Sequence, residues 1–180
     1  SGIKTLNTTA NTLFGKLKIG LEYLLKRSGP MSMAPSQLGA FAYSSELYTS
    51  PNVEYHVQPL SLEKFGEDLH SFNAITASVC NVRPSSRGSV HINSLDPQAP
   101  PVIQPNYLST DEDRQVAADS LRLTRQIVAN SALQPYTPEE YKPGTQYQSE
   151  ADLIQAAGDI GTTIFHPVGT CKMGRADDSS

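Results

Sequence analysis

Apolar and polar positions along this chain follow two different periods. From about Asn11 to Arg27, Leu13, Leu17, Leu21 and Leu24 recur at helical spacing, with Phe14 and Leu25 beside them, which predicts an amphipathic helix. Lys26 and Arg27 fall in its last turn, where cations suit the helix dipole, and Gly29-Pro30 stops it. Gly39 to Tyr43, Val53 to Pro59 and Phe72 to Val82 are short runs of β-branched or aromatic residues bounded by Pro, Asn, Ser or Gly, and they predict strands. Arg87 to Asn93 predicts a further strand, entered through a turn at Gly88. No helix-length segment separates these runs, so neighbouring strands are expected to pair antiparallel.

The second strong helical period covers about Asp111 to Asn130. Thr110 is the expected N-cap, and Asp111, Glu112 and Asp113 occupy the first turn as capping or solvated carboxylates. Ala117, Leu121, Thr124 and Val128 line one stripe, which Val116, Leu123 and Ile127 widen. Residues 134–148, rich in Pro, Tyr and Gly, predict a loop. A short helix then starts at Ser149, with Asp152 at the capping-box position. The expected fold class is α+β: an antiparallel or mixed sheet of about four to six strands, with helices packed on one side.

Composition narrows the function classes. Hydrophobic residues make up 38% and charged residues 18% of the 180, which suits a folded globular chain rather than a disordered one. The 14 Lys and Arg are scattered and the net charge is -4, so a nucleic-acid surface is not expected. No apolar run approaches the about 20 residues of a membrane-spanning helix. Residues 1–5 carry no apolar signal region and no initiator Met, so the start is expected to be a cut and the location cytoplasmic. Two cysteines, Cys80 and Cys171, are too few for a disulfide scaffold. Asn7-Thr8-Thr9 fits a glycosylation sequon, which is expected to be a chance match.

The densest chemistry lies in Phe165-His166-Pro167-Val168-Gly169-Thr170-Cys171-Lys172-Met173-Gly174. Thr163-Ile164-Phe165 suggests an apolar strand ending at an imidazole, after which Pro167 and Gly169 turn the backbone sharply. Such a histidine can exchange a proton near neutral pH. The residues alone favour a core histidine bonded to a carbonyl. His56 shares a strand face with Glu54 and Gln58, opposite Val53, Tyr55 and Val57. That pattern fits a cavity-lining residue or a solvent-facing one on an edge strand. No metal centre is expected, because His166 and Cys171 lack a second ligand pair at close spacing. Gly169 to Gly174 has the glycine spacing of a phosphate loop without its Lys-Ser/Thr, and no G-x-S-x-G elbow is present.

Residues 165–174 resemble the HPxGTxxMG signature of the glucose–methanol–choline (GMC) oxidoreductases. The likeness continues through Pro84-Ser85-Ser86-Arg87-Gly88, Asp96-Pro97, Pro101-Val102-Ile103 and Pro105-Asn106-Tyr107-Leu108, and back to Lys18-Ile19-Gly20. It is nearest to the choline dehydrogenase-like branch. The resemblance implies a substrate-binding domain, with His166 as catalytic base or hydrogen-bonding group. It implies Pro167, Val168, Gly169 and Thr170 beside the flavin of FAD, and His56 lining the substrate cavity. Gln37 stands where choline-oxidising members carry a glutamate that pairs with the quaternary ammonium, so a choline-type cation would lose its charge partner. Asn81 and Arg83 are expected to shape a turn rather than touch substrate.

No G-x-G-x-x-G occurs, so the family's dinucleotide-binding segment is not expected in this chain. The expectation for residues 1–180 is a substrate-binding domain fragment, inactive and free of FAD by itself. Its partners in a full-length protein would be a small alcohol and an electron acceptor, quinone or oxygen, the former bringing membrane-peripheral contact. Its flavin-facing surface would be open to self-association. A stand-alone binding or scaffold domain derived from the family is the alternative.

Overall fold

The structure, a computed structural model, describes residues 3–64, 66–170, 172–175 and 177. A short helix α1 (Leu6–Ala10) leads into α2 (Leu13–Lys26). Thr12 caps α2, its hydroxyl accepting from the Gly15 amide, and Arg27 closes it in the left-handed region at φ 53°. α1 has no periodic signal because tertiary contacts hold it. Leu6 N–H donates to the Pro59 carbonyl. Asn7 is fully buried, and its amide donates to the Ser61 carbonyl, the Ser61 hydroxyl and the His70 carbonyl. An asparagine used in that way offers no amide for a glycan.

Strands β1 (Leu38–Ala42), β2 (Val53–Gln58) and β3 (Thr76–Asn81) form an antiparallel sheet in that order. β4 (Ser89–His91) and β5 (Val102–Gln104) form a separate antiparallel pair. The α+β class and the strand number match expectation, but the strands divide between two sheets. Helix α3 (Asp111–Val128) packs against β3, and α4 (Glu150–Ile160) packs against α3. Ser149 and Asp152 complete the capping box at the start of α4. Among the described residues, no helix is long and apolar enough to cross a membrane.

The core forms where β2 meets α3. Val53, Tyr55 and Val116 are buried, with Ala42, Tyr48, Val79 and Leu123 packed around them. The Tyr55 hydroxyl donates to the Ser120 carbonyl and lies 3.0 Å from Thr124 Oγ1. The α3 face toward the sheet is therefore built on Val116, Leu123 and Thr124 of the expected stripe, with Ser120 added to them. Ser120 is tolerated there because its hydroxyl returns to the Val116 carbonyl at 2.7 Å. Arg125 forks onto both carboxylate oxygens of Glu140 at 2.8 Å and reaches the Tyr147 carbonyl, fixing the 140–147 loop to α3. α2 buries only Gly15, while Leu13, Phe14, Leu17, Leu21, Leu24 and Leu25 face outward.

Asp113 divides the two sheets. It is buried at the start of α3, yet its carboxylate accepts from the Ser85 and Ser86 amides at 2.9 Å and from Asn81 Nδ2 at 3.1 Å. These bonds turn the chain out of β3 and re-aim it toward β4. Asp113 is thus no solvated carboxylate. Burial opposes its charge, but the hydrogen bonds from Ser86 and Ser85 outweigh burial and hold its pKa below the ordinary value. A carboxyl whose pKa falls on folding contributes stability above its unfolded pKa of about 3.9 and loses it as pH drops through the folded value. Asp113→Asn is expected to cost about 2 kcal/mol at neutral pH. In urea unfolding, the gap from wild type should narrow as pH falls below about 3.9.

Candidate functional site

Burial of Val53 and Tyr55 turns Glu54 and His56 to the opposite, open face of the sheet. His56 stands on the central strand rather than an edge, opposite Gly39 on β1 and Ser78 on β3. The Gln37 amide donates to the Val57 carbonyl at 2.9 Å, just before the start of β1. Gln37 therefore lies at the entrance to β1, whose Gly39 faces His56 on β2.

The open face also carries a residue that the sequence spacing did not connect to His56. Cys80 pairs with Glu54 across β2 and β3, so its side chain shares their face. Its thiol donates to the Glu54 carbonyl at 3.7 Å. Glu54 Oε1 lies 3.5 Å from His56 Nε2, with both side chains about three-quarters covered. The ligating atoms of Glu54, His56 and Cys80 all lie within 4.8 Å of one another. Burial raises the Cys80 pKa first, and the Glu54 carboxylate raises it further. The connection from Pro59 to Ile75 is too long to set a register, which is why strand-level reading left this group unassembled.

His166 lies on a different part of the chain. The strand expected at Thr163-Ile164-Phe165 is not formed, and residues 161–170 are irregular. Thr163 supplies the reason: its hydroxyl oxygen accepts from the Phe165 amide at 3.0 Å and from the Tyr107 hydroxyl at 3.1 Å. Local side-chain bonding of this kind competes with a ladder. Phe165 adopts φ 64°, and His166, Pro167, Val168, Gly169 and Thr170 are exposed. Gly169 takes φ 96°, a conformation that favours glycine, and a Cβ there would meet nothing within 4 Å. Cys171 lies outside the described residues.

The Pro84–Gly88 turn is structural, as expected for Asn81 and Arg83. Asn81 Oδ1 accepts from the Arg83 amide at 2.8 Å while its amide group holds Asp113. Gly88 passes so close to the carbonyls of Gln104 and Pro105 that any Cβ would collide with them. A depression of about 420 Å³ between residues 43–46 and Asp119, Arg122, Leu123 and Gln126 belongs to the α3 side, away from the His56 face. The thiol environment has a direct readout. In a Cys171→Ser background, alkylation of Cys80 by iodoacetamide should run about tenfold slower at neutral pH than that of an exposed thiol.

The GMC oxidoreductase family model matches residues 84–180, just over half of the chain. Oxygen-dependent choline dehydrogenase of Proteus mirabilis (strain HI4320) is 37% identical over 161 residues, covering 89% of this chain and 29% of its own. The corresponding protein of Citrobacter koseri is 38% identical over 157 residues, covering 87% and 28%. Among solved structures, a formate oxidase superposes with a TM-score of 0.75 at 22% identity, over 87% of this chain and 32% of its own. Pyridoxine 4-oxidase from Mesorbium loti gives 0.69 at 24% identity, over 79% and 28%. The structures share the fold, and the chain spans under a third of the length of these relatives. The family match and the two relatives establish that this chain belongs to the GMC oxidoreductases.

Proposed function

We propose that this chain is the substrate-facing part of an FAD-dependent alcohol oxidoreductase, with residues 1–180 acting as a substrate-binding domain of a longer flavoprotein. The observation that carries this reading is the open sheet face that presents His56 on its central strand, in a chain that also holds the exposed His166–Thr170 segment. The family implies FAD in its full-length members. Residues 167–170 fit such a group, because an exposed left-handed glycine with empty space at its Cβ position lets the backbone approach a flat ring.

His166 is assigned the alcohol proton. Removing it as the C–H bond breaks avoids a charged intermediate, and imidazole is a competent acceptor near neutral pH. FAD, held beside residues 167–170, would supply the acceptor for the hydride of the alcohol carbon. His56 and Gln37 orient the hydroxyl and the rest of the substrate from the sheet. Gln37 is neutral, so a quaternary ammonium loses a charge partner at that position, while the Glu54 carboxylate stays on the face 3.5 Å from His56. Quinone or oxygen reoxidises the protein in this reading, and the location is cytoplasmic or membrane-peripheral. The uncovered apolar residues of α2 are assigned to contact with the flavin-binding part, or to self-association of the isolated chain.

The test is the visible spectrum of the full-length protein, recorded anaerobically before and after a panel of alcohols that includes choline. A flavin spectrum bleached by one alcohol supports the reading and names the substrate class. A colourless protein would leave a non-catalytic binding domain in its place. In the active protein, His166→Ala is expected to slow flavin reduction by about 10²- to 10⁴-fold. Isolated residues 1–180 should scatter light as an oligomer, and Leu17→Glu with Leu21→Glu should return them to monomers.

A further inference from the structure

We propose that Glu54, His56 and Cys80 form a binding site for a borderline divalent transition ion, of which Zn²⁺ is the type. The three residues offer one carboxylate oxygen, one imidazole nitrogen and one sulfur within 4.8 Å of one another. Two come from alternate positions of one strand, and the third faces them across an antiparallel pair. That arrangement places three ligands on one side of an ion and leaves the fourth position open to the face.

The geometry is near what coordination needs. Tetrahedral Zn²⁺ with bonds of about 2.0–2.3 Å separates its ligand atoms by roughly 3.5 Å. Glu54 Oε1 and His56 Nε2 are already 3.5 Å apart. The widest pair needs to close by only about 1 Å, within reach of side-chain rotation. Gly39, opposite His56, contributes no side chain, and a Cβ there would meet only the Tyr55 carbonyl oxygen, at 3.6 Å. Space therefore remains for the ion and an exchangeable ligand. Mixed nitrogen, sulfur and oxygen ligands select zinc, cobalt and nickel over calcium and magnesium. On binding, the Cys80 thiol releases its proton to solvent, and Glu54 and the thiolate balance the two positive charges. The ion joins β2 to β3 and occupies His56 Nε2. His56 is also the residue assigned to the substrate above, so ion and substrate would compete for it, and the readouts of the ion site are not catalytic.

The test uses the protein expressed from its whole reading frame with Cys171→Ser, titrated with Co²⁺ alone and then Zn²⁺ alone. One equivalent of Co²⁺ should give tetrahedral d–d absorption at wavelengths longer than a flavin absorbs, and Zn²⁺ should displace it. Zn²⁺ should slow alkylation of Cys80 at least about tenfold. Cys80→Ser, His56→Gln and Glu54→Gln, each checked for folding by circular dichroism, should each weaken Zn²⁺ binding at least about tenfold. An unchanged Co²⁺ spectrum in folded Cys80→Ser, or no Zn²⁺ protection of Cys80, would overturn the proposal.

Discussion

Val53 and Tyr55 are buried against Val116, and the rest of the arrangement depends on that contact. Side chains alternate along a strand, so burying two residues of β2 decides where the others point. A slip of one residue would send Glu54 and His56 into the core and expose Val53 and Tyr55. The apolar cost of that exchange locks the register. The polar face of the sheet is thus a by-product of how its apolar face packs.

Tyr55 shows how the lock is made specific rather than merely apolar. Its hydroxyl reaches the Ser120 carbonyl and Thr124 on α3. Desolvation raises the Tyr55 pKa, with the bond to Thr124 acting against it, so the phenol stays neutral in its buried role. The helix accepts Ser120 on its buried face because its hydroxyl donates to the Val116 carbonyl, and Thr124 because its hydroxyl pairs with that of Tyr55. Polar residues on a buried helix face thereby set the seat of a strand.

Asp113 performs a comparable service at the far end of β3. One carboxylate satisfies two backbone amides and an asparagine side chain in a turn that would otherwise bury unpaired donors. The anion also sits in the first turn of α3, where the helix dipole favours it. The turn leaves the three-stranded sheet and delivers the chain to β4, where Gly88 allows the close crossing of Gln104 and Pro105. The motif Pro84–Gly88 is therefore a packing device, joined to the helix that supports the His56 face from behind.

The sequence by itself determined the elements whose signals are local. The period of Leu13 to Leu24, the caps at Thr110 and Ser149, and the alternation of residues 53–58 all depend on near neighbours, and all are formed. The segment 165–174 likewise marked the family without any fold. Only tertiary structure decided what depends on distant pairing. It brought Cys80 beside Glu54, buried Asp113, and held α1 through Asn7. It divided the described strands between two sheets, and it dissolved the strand expected before His166 in favour of bonds to Thr163. Each of these turns on a partner far along the chain or on a hydrogen bond that competes with a ladder. Periodicity carries no record of either, because register across a long connection is fixed by packing energy and not by spacing.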